Sequence, residues 1–163
     1  MDSLLIKDVL TDTQRKYLLK YSIPLLIEGD EISRRLSDPS YYPGKQTPTN
    51  LHKFSYFMEI HSIFLKCIKQ YTGYDCMINK SWVNWTNGSK KDISWHNHEN
   101  EGKLSAVYYL KTPLPFFSNG TLFRTGLVKA PQNSLLIFSS HIQHTAPSSP
   151  FRFSRYTLAM TLM

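Results

Sequence analysis

Four of the six histidines fall in two short windows, His96 and His98 in SWHNHEN, and His141 and His144 in FSSHIQHTAP. On an extended strand, residues two apart point to the same face, so His96 and His98 can aim two imidazoles at one point. That is what a metal site needs, and imidazole suits borderline divalent ions. His141 and His144 are three apart, so a regular strand lets only one of them face a common interior. An H-x-H pair by itself is also compatible with surface exposure or satisfied hydrogen bonds. More weight comes from downstream, where Arg155 opens the run RYTLAMTL. Arg155, Thr157 and Ala159 share one strand face. A guanidinium there can take a carboxylate through two parallel hydrogen bonds, and a hydroxyl two residues on can add a third. Arg152 with Ser154 is the competing pair, and strand parity favours Arg155.

Such groups need rigid elements to hold them, and the chain changes character near residue 78. Before it, helical spacing dominates. Thr11 or Asp12 can cap a helix through about Tyr21, and Ile23–Leu36 can continue as a second short helix after Pro24. Ser37–Asn50 is dense in proline and turn formers. From Leu51 to Tyr71 the apolar positions recur at three and four, with His61 the only polar member, which predicts the strongest helix of the chain. After residue 78 the expected strands are Ile78–Thr86, Ile93–His98, Leu104–Leu110, Thr121–Arg124, Ser134–Phe138, Gln143–Ala146 and Phe153–Leu162. Turn signals separate them at Asn87-Gly88, Asn119-Gly120, Pro131–Asn133 and Pro147–Pro150. Helices first and many short strands second predict an α+β chain, its strands forming a sandwich or jelly roll.

The 163 residues suit one domain (1–163), with 1–77 as mainly helical support and loop and 78–163 as the β core. Hydrophobic residues at 41% and charged residues at 19% describe a globular chain. No apolar run approaches the ~20 residues that cross a bilayer, and the start lacks the features of a secretory signal. Cys67 and Cys76 form no metal or redox motif, and free thiols point to a cytoplasmic, reducing compartment. The sequons at Asn84, Asn87 and Asn119 are then turn chemistry. The net charge is +7, from 19 basic and 12 acidic residues. Those cations are scattered, with short pairs at Arg34-Arg35 and Lys90-Lys91, so the sequence carries no strong nucleic-acid signal. An anionic substrate or cosubstrate fits this balance.

The ordered set H-x-H, LSAVYYL, NGTL, SLLIFSSHIQHTAP and RYTL resembles the Fe(II)/2-oxoglutarate-dependent dioxygenases. The likeness is greatest to prolyl-hydroxylase-like members and small bacterial and viral relatives, and it runs from Trp82 to the C-terminus. It implies a double-stranded β-helix (jelly roll) with N-terminal supporting helices, Fe(II) as metal and 2-oxoglutarate as cosubstrate. Residue by residue, it places His96 as first ligand and His144 as distal ligand. It places Arg155 on the distal carboxylate of 2-oxoglutarate, assisted by Tyr109 of VYYL, where the Thr157 hydroxyl on the same strand face can join it. The family keeps a carboxylate two residues after the first histidine, where this chain has His98.

Three neutral imidazoles leave the ion its full charge, which should weaken resting affinity and loosen metal choice. Glu99 points away from His98 on an extended strand, and Glu101 could approach only if the chain turns. A second register, with His98 first and Asn100 second, offers only a weak amide ligand. Asn84, among Trp82, Trp85 and Trp95, is a candidate for the substrate mouth, while tryptophans default to packing. His52 and His61 are assigned no function, and His141 either supports the ligands or is exposed. The resulting expectation is a hydroxylase acting on an unidentified substrate, with peptide or protein ahead of small molecule or nucleobase. Its recognition loops would be Ser37–Asn50, Asn87–Asp92 and Thr112–Gly120, and its oligomeric state is unread. A degenerate jelly-roll binding module and a cupin-like metalloprotein without 2-oxoglutarate are the alternatives.

Overall fold

In Leu135–Ser139, Leu135 and Ile137 leave one face of the strand and Leu136 and Phe138 the other, and all four are buried. A strand apolar on both faces must be covered on both. The computed structural model, which describes residues 3–28, 44–86, 95–113, 119–147 and 154–163, shows how. Leu135 and Ile137 join a core with Leu18, Ile60, Phe64 and Ile68 from two helices, while Leu136 and Phe138 join Tyr109, Phe123 and Ala130 inside the barrel.

In chain order the elements are β1 (Leu4–Ile6), α1 (Asp12–Ser22), β2 (Ile27–Glu28), β3 (Lys45–Gln46) and α2 (Met58–Thr72). Then follow β4 (Ile78–Thr86), β5 (Leu104–Lys111), β6 (Gly120–Phe123), β7 (Gly126–Lys129), β8 (Leu135–Ser139), β9 (His144–Thr145) and β10 (Arg155–Leu162). The major sheet has the order β1-β8-β5-β10-β4-β3-β2 and the minor sheet β7-β6-β9, with every strand pair antiparallel. This is the double-stranded β-helix expected, with the helices on the outer face of the major sheet. Thr11 caps α1 in a reciprocal box with Gln14, each side chain bonding the other's backbone N–H.

Several expected boundaries move. The second helix after Pro24 does not form over its described part: Ile23–Leu25 is a single 3-10 turn, and the chain then enters β2. Residues 29–36 lie outside the described residues. The long helix begins at Met58, because Leu51–Lys53 and Ser55–Phe57 are separate 3-10 turns joined through an extended Phe54. Three short strands, β1 to β3, belong to the half expected to be helical. Within the expected strand Ile93–His98, residues 93 and 94 lie outside the described residues, and only His96 makes a bridge. The β6–β7 hairpin adds a strand, Gly126–Lys129, where none was expected.

His61 is buried where α2 meets β4. Its Nδ1 donates to the Phe57 carbonyl at 2.8 Å, so its Nε2 accepts from the Ser81 hydroxyl at 2.6 Å. Burial lowers its pKa from the usual 6.5 to about 4. The unfolded chain therefore takes up a proton near pH 6.5 that the folded chain refuses until about 4. Stability from the neutral ring is complete above the upper value and lost as pH falls through this window. His61→Gln, which cannot take up the proton, should flatten the pH dependence of unfolding free energy there by up to about 3 kcal/mol. Equal slopes for wild type and variant in chemical denaturation would remove His61 as the cause.

Candidate metal centre

His96 and His144 lie directly opposite each other and exchange both backbone hydrogen bonds, at 3.1 and 2.9 Å. His98 is tied separately, its N–H donating to the Ser140 carbonyl at 2.9 Å. The three rings converge, with centroids 5.1 Å apart for His96 and His98, 4.5 Å for His96 and His144, and 5.3 Å for His98 and His144. One nitrogen from each lies within 4.8 Å of the others, close enough for one ion to draw all three together. Thus the H-x-H pair does share a face, through the His96 bridge and a turn after His98 instead of a continuous strand.

The outer contacts decide which nitrogens are presented. His144 Nδ1 donates to the Ile142 carbonyl at 3.0 Å, leaving Nε2 with its lone pair. Burial, and secondarily the neighbouring His96, lowers its pKa to about 3, so the ring is neutral at ordinary pH, as a ligand must be. Phe138, Phe123 and Trp82 wall the rings: Phe138 is 4.8 Å from His144, Phe123 is 6.2 Å from it, and Trp82 is 5.6 Å from His98. These observations fit a divalent ion held by imidazole.

The chain does turn after His98, the Glu101 N–H donating to the His98 carbonyl at 2.8 Å. The Glu101 carboxylate does not enter the triangle. Its Oε2 meets His98 Nδ1 at 3.1 Å, and its Oε1 meets Lys80 Nζ at 2.6 Å. The His98 hydrogen bond and, after it, that of Lys80 hold the Glu101 carboxyl down at about 2, against the opposing effect of burial.

Further along the same interior lies a polar group. Cross-strand pairing sets Asn84 on β4, Thr157 on β10 and Tyr109 on β5 in one row, with Trp82, Ala159 and Val107 in the next row. The Tyr109 hydroxyl is 2.6 Å from Thr121 Oγ1, and burial pushes its pKa up, so it stays a donor. Arg155 Nη2 donates to the Gly120 carbonyl at 2.7 Å, and its guanidinium carbon lies 5.6 Å from the Tyr109 ring centre. Gly120 has φ +138° and abuts the Val128 carbonyl where any Cβ would clash, which fixes that carbonyl. On β6, Phe123 touches His144, Thr121 meets Tyr109, and Gly120 meets Arg155. Both sheets therefore give one order, from imidazoles to hydroxyls to guanidinium. The Asn84 Oδ1 is buried and has no hydrogen-bond partner among the described residues.

Arg124 stacks 3.9 Å from the Trp95 ring centre and donates to Gln143, forming a rim beside His96 and His144. His141 is exposed and bonds Ser139 Oγ at 2.8 Å. Arg152, the Asn87–Asp92 loop and residues 37–43 of Ser37–Asn50 lie outside the described residues, as do residues 114–118. Sequence reasoning missed Thr121, Arg124 and the hydrogen bond to His98 of Glu101, weighed above only as a carboxylate that a turn could bring near. Only the third had a signal, the H-x-x-E spacing that a turn brings together.

No family model and no curated protein matches the sequence. Solved structures do. The viral collagen prolyl hydroxylase of Paramecium bursaria Chlorella virus-1, in its 2OG complex, matches at TM-score 0.69 and 12% identity, covering 98% of this chain and 94% of that one. A Trichoplax adhaerens prolyl hydroxylase, in complex with a hypoxia inducible factor peptide fragment, matches at 0.69 and 16%, covering 99% and 83%. HygX of Streptomyces hygroscopicus, with nickel, 2-oxoglutarate and hygromycin B bound, matches at 0.72 and 9%, covering 97% and 81%. At such identities the likeness is one of fold. The chain has the double-stranded β-helix fold of 2OG-Fe(II) oxygenase structures.

Proposed function

We propose that this chain is a non-haem Fe(II)- and 2-oxoglutarate-dependent oxygenase, a hydroxylase with its metal on His96, His98 and His144. The observation that carries this is the order of groups along one interior. Three imidazoles stand at one end, on β9 and the 95–98 segment, and Tyr109 on β5 with Thr157 and Arg155 on β10 follow along the same interior. The step from Phe123 to Thr121, two residues along a strand, is about 7 Å. A five-carbon diacid suits that distance, its 2-oxo acid end at the imidazoles and its far carboxylate toward Arg155.

In this reading each residue has a separate task. His144 and His98 present Nε2, because their Nδ1 atoms are committed elsewhere. Arg155 binds the far carboxylate, the buried Tyr109 phenol donates to it, and Thr157 adds a hydroxyl. Phe123, Phe138 and Trp82 exclude water from the imidazoles. A ferrous ion held there supplies oxygen activation. The overall reaction converts 2-oxoglutarate, dioxygen and a C–H bond into succinate, carbon dioxide and an alcohol. Asn84, paired across the strands with Thr157 and with no partner for its amide oxygen among the described residues, would offer the substrate a hydrogen bond.

A peptide or protein substrate is proposed ahead of a small molecule or nucleobase. Support comes from the peptide-bound Trichoplax enzyme, while HygX, with its antibiotic, is the opposing precedent. No helix among the described residues is long and apolar enough to cross a membrane. The unpaired thiols Cys67 and Cys76 suit a cytoplasmic setting. Residues 1–163 are taken as one catalytic domain.

Binding to the folded state alone should raise stability. Metal and 2-oxoglutarate at about 100 times their dissociation constants add roughly 2.7 kcal/mol each, or about 5–10 °C in Tm. Under anaerobic conditions, His144→Ala should lose the metal-dependent shift. A variant that responds as wild type does would sink the metal assignment. Arg155→Gln should keep the shift with metal alone and need at least ~10-fold more 2-oxoglutarate for the second increment, since a charged hydrogen bond is worth about 1.5–3 kcal/mol. An unchanged requirement would exclude Arg155 as the carboxylate partner.

A further inference from the structure

The ligand set proposed above carries no charge, and a carboxylate stands one residue contact away. Glu101 reaches His98 Nδ1 through Oε2 at 3.1 Å. It is held there from several sides. Lys80 Nζ binds its other oxygen at 2.6 Å, Asn79 Nδ2 donates to its carbonyl at 2.7 Å, and its own N–H donates to His98. The next residue, Gly102, lies so close to the Leu162 carbonyl that a Cβ would clash, and Lys103 N–H bonds that same carbonyl at 2.8 Å. The turn is therefore locked against the end of β10, and the carboxylate cannot swing in to become a ligand without breaking these contacts. Its side chain is 29% exposed and that of His98 is 15%, so the pair is only partly screened by water.

We propose that Glu101 is the anionic partner of this metal centre, acting as a positioning residue through the His98 ring instead of binding the ion. The inference rests on the metal site of the preceding section. A carboxylate accepting from Nδ1–H fixes the tautomer, so Nε2 keeps its lone pair and faces His96 and His144. It also makes the ring a stronger donor, returning through one hydrogen bond part of the charge that the ligand set lacks. Lys80 serves to aim the carboxylate. An ordinary surface ion pair between Lys80 and Glu101 would make no difference to the metal.

The test is anaerobic Co(II) binding to the full chain, measured by competition with a chromophoric chelator, for wild type, Glu101→Ala and Glu101→Gln. Glutamine keeps the shape and can accept from Nδ1–H but carries no charge. Glu101→Ala should weaken Co(II) binding by about 10–100-fold, and Glu101→Gln by about 10-fold. His98 in the metal-free protein should be a single Nδ1–H tautomer by 15N NMR, and a mixture in Glu101→Ala. If the alanine variant does not fold, the glutamine variant and the wild-type tautomer carry the test. Wild-type affinity in Glu101→Gln overturns the proposal, as does a wild-type His98 protonated on Nε2. Wild type that takes up no Co(II) overturns it together with the site. Wild type that binds Co(II) but ignores 2-oxoglutarate overturns only the oxygenase reading, because the Glu101 comparison needs no cosubstrate.

Discussion

The reciprocal backbone pair between His96 and His144 is the constraint on which the site depends. Directly opposed residues in an antiparallel pair send their side chains to the same face. Two imidazoles from distant parts of the sequence are thereby set side by side, their ring centres 4.5 Å apart. The same pairing extends the minor sheet beyond β9, so the segment that carries the H-x-H motif becomes part of the barrel wall. His98 needs only its own bond to Ser140 to join them. Three segments and two sheets thus meet at one point, and the aromatic walls of Phe123, Phe138 and Trp82 follow from strand alternation around it.

Charge organises the rest of the interior. Burial keeps His144 neutral, and the Glu101 carboxylate beside the rings is occupied by His98 and Lys80. At the other end Arg155 brings a cation that rests on the Gly120 carbonyl. A barrel with a cation at one end and a place for a divalent ion at the other favours an elongated dianion between them. This preference is a property of the side chains themselves and is independent of the substrate.

The sequence was informative where a residue's neighbours along the strand set its direction. Arg155, Thr157 and Ala159 share a face as alternation requires, and Tyr109 lies in their row because Leu104–Tyr109 pairs with β10 in unbroken register, the slip coming only at Leu110. It was uninformative where pairing partners decide. β1, β2 and β3 are two or three residues long, too short for any period, and they exist because β8 offers an edge to β1, β4 to β3, and β3 in turn to β2. Residues 51–57 have the spacing of a helix, but 3-10 and α turns share the three-residue contact, and the Ser81 N–H bonds the Thr49 carbonyl just before them. Glu101 was seen as a nearby carboxylate, yet its place beside His98 depends on a turn locked by Gly102 against Leu162, a contact no local pattern encodes.

If the function proposed above holds, the imidazoles and the Arg155 group serve one ligand pair. Anaerobic titration of the Fe(II)-loaded chain with 2-oxoglutarate, followed by visible absorption, tests it most directly. A chelated 2-oxo acid on ferrous ion gives a weak charge-transfer band. This band should grow to saturation at one 2-oxoglutarate per chain. A chain that binds Fe(II) and shows no band at saturating 2-oxoglutarate would contradict it.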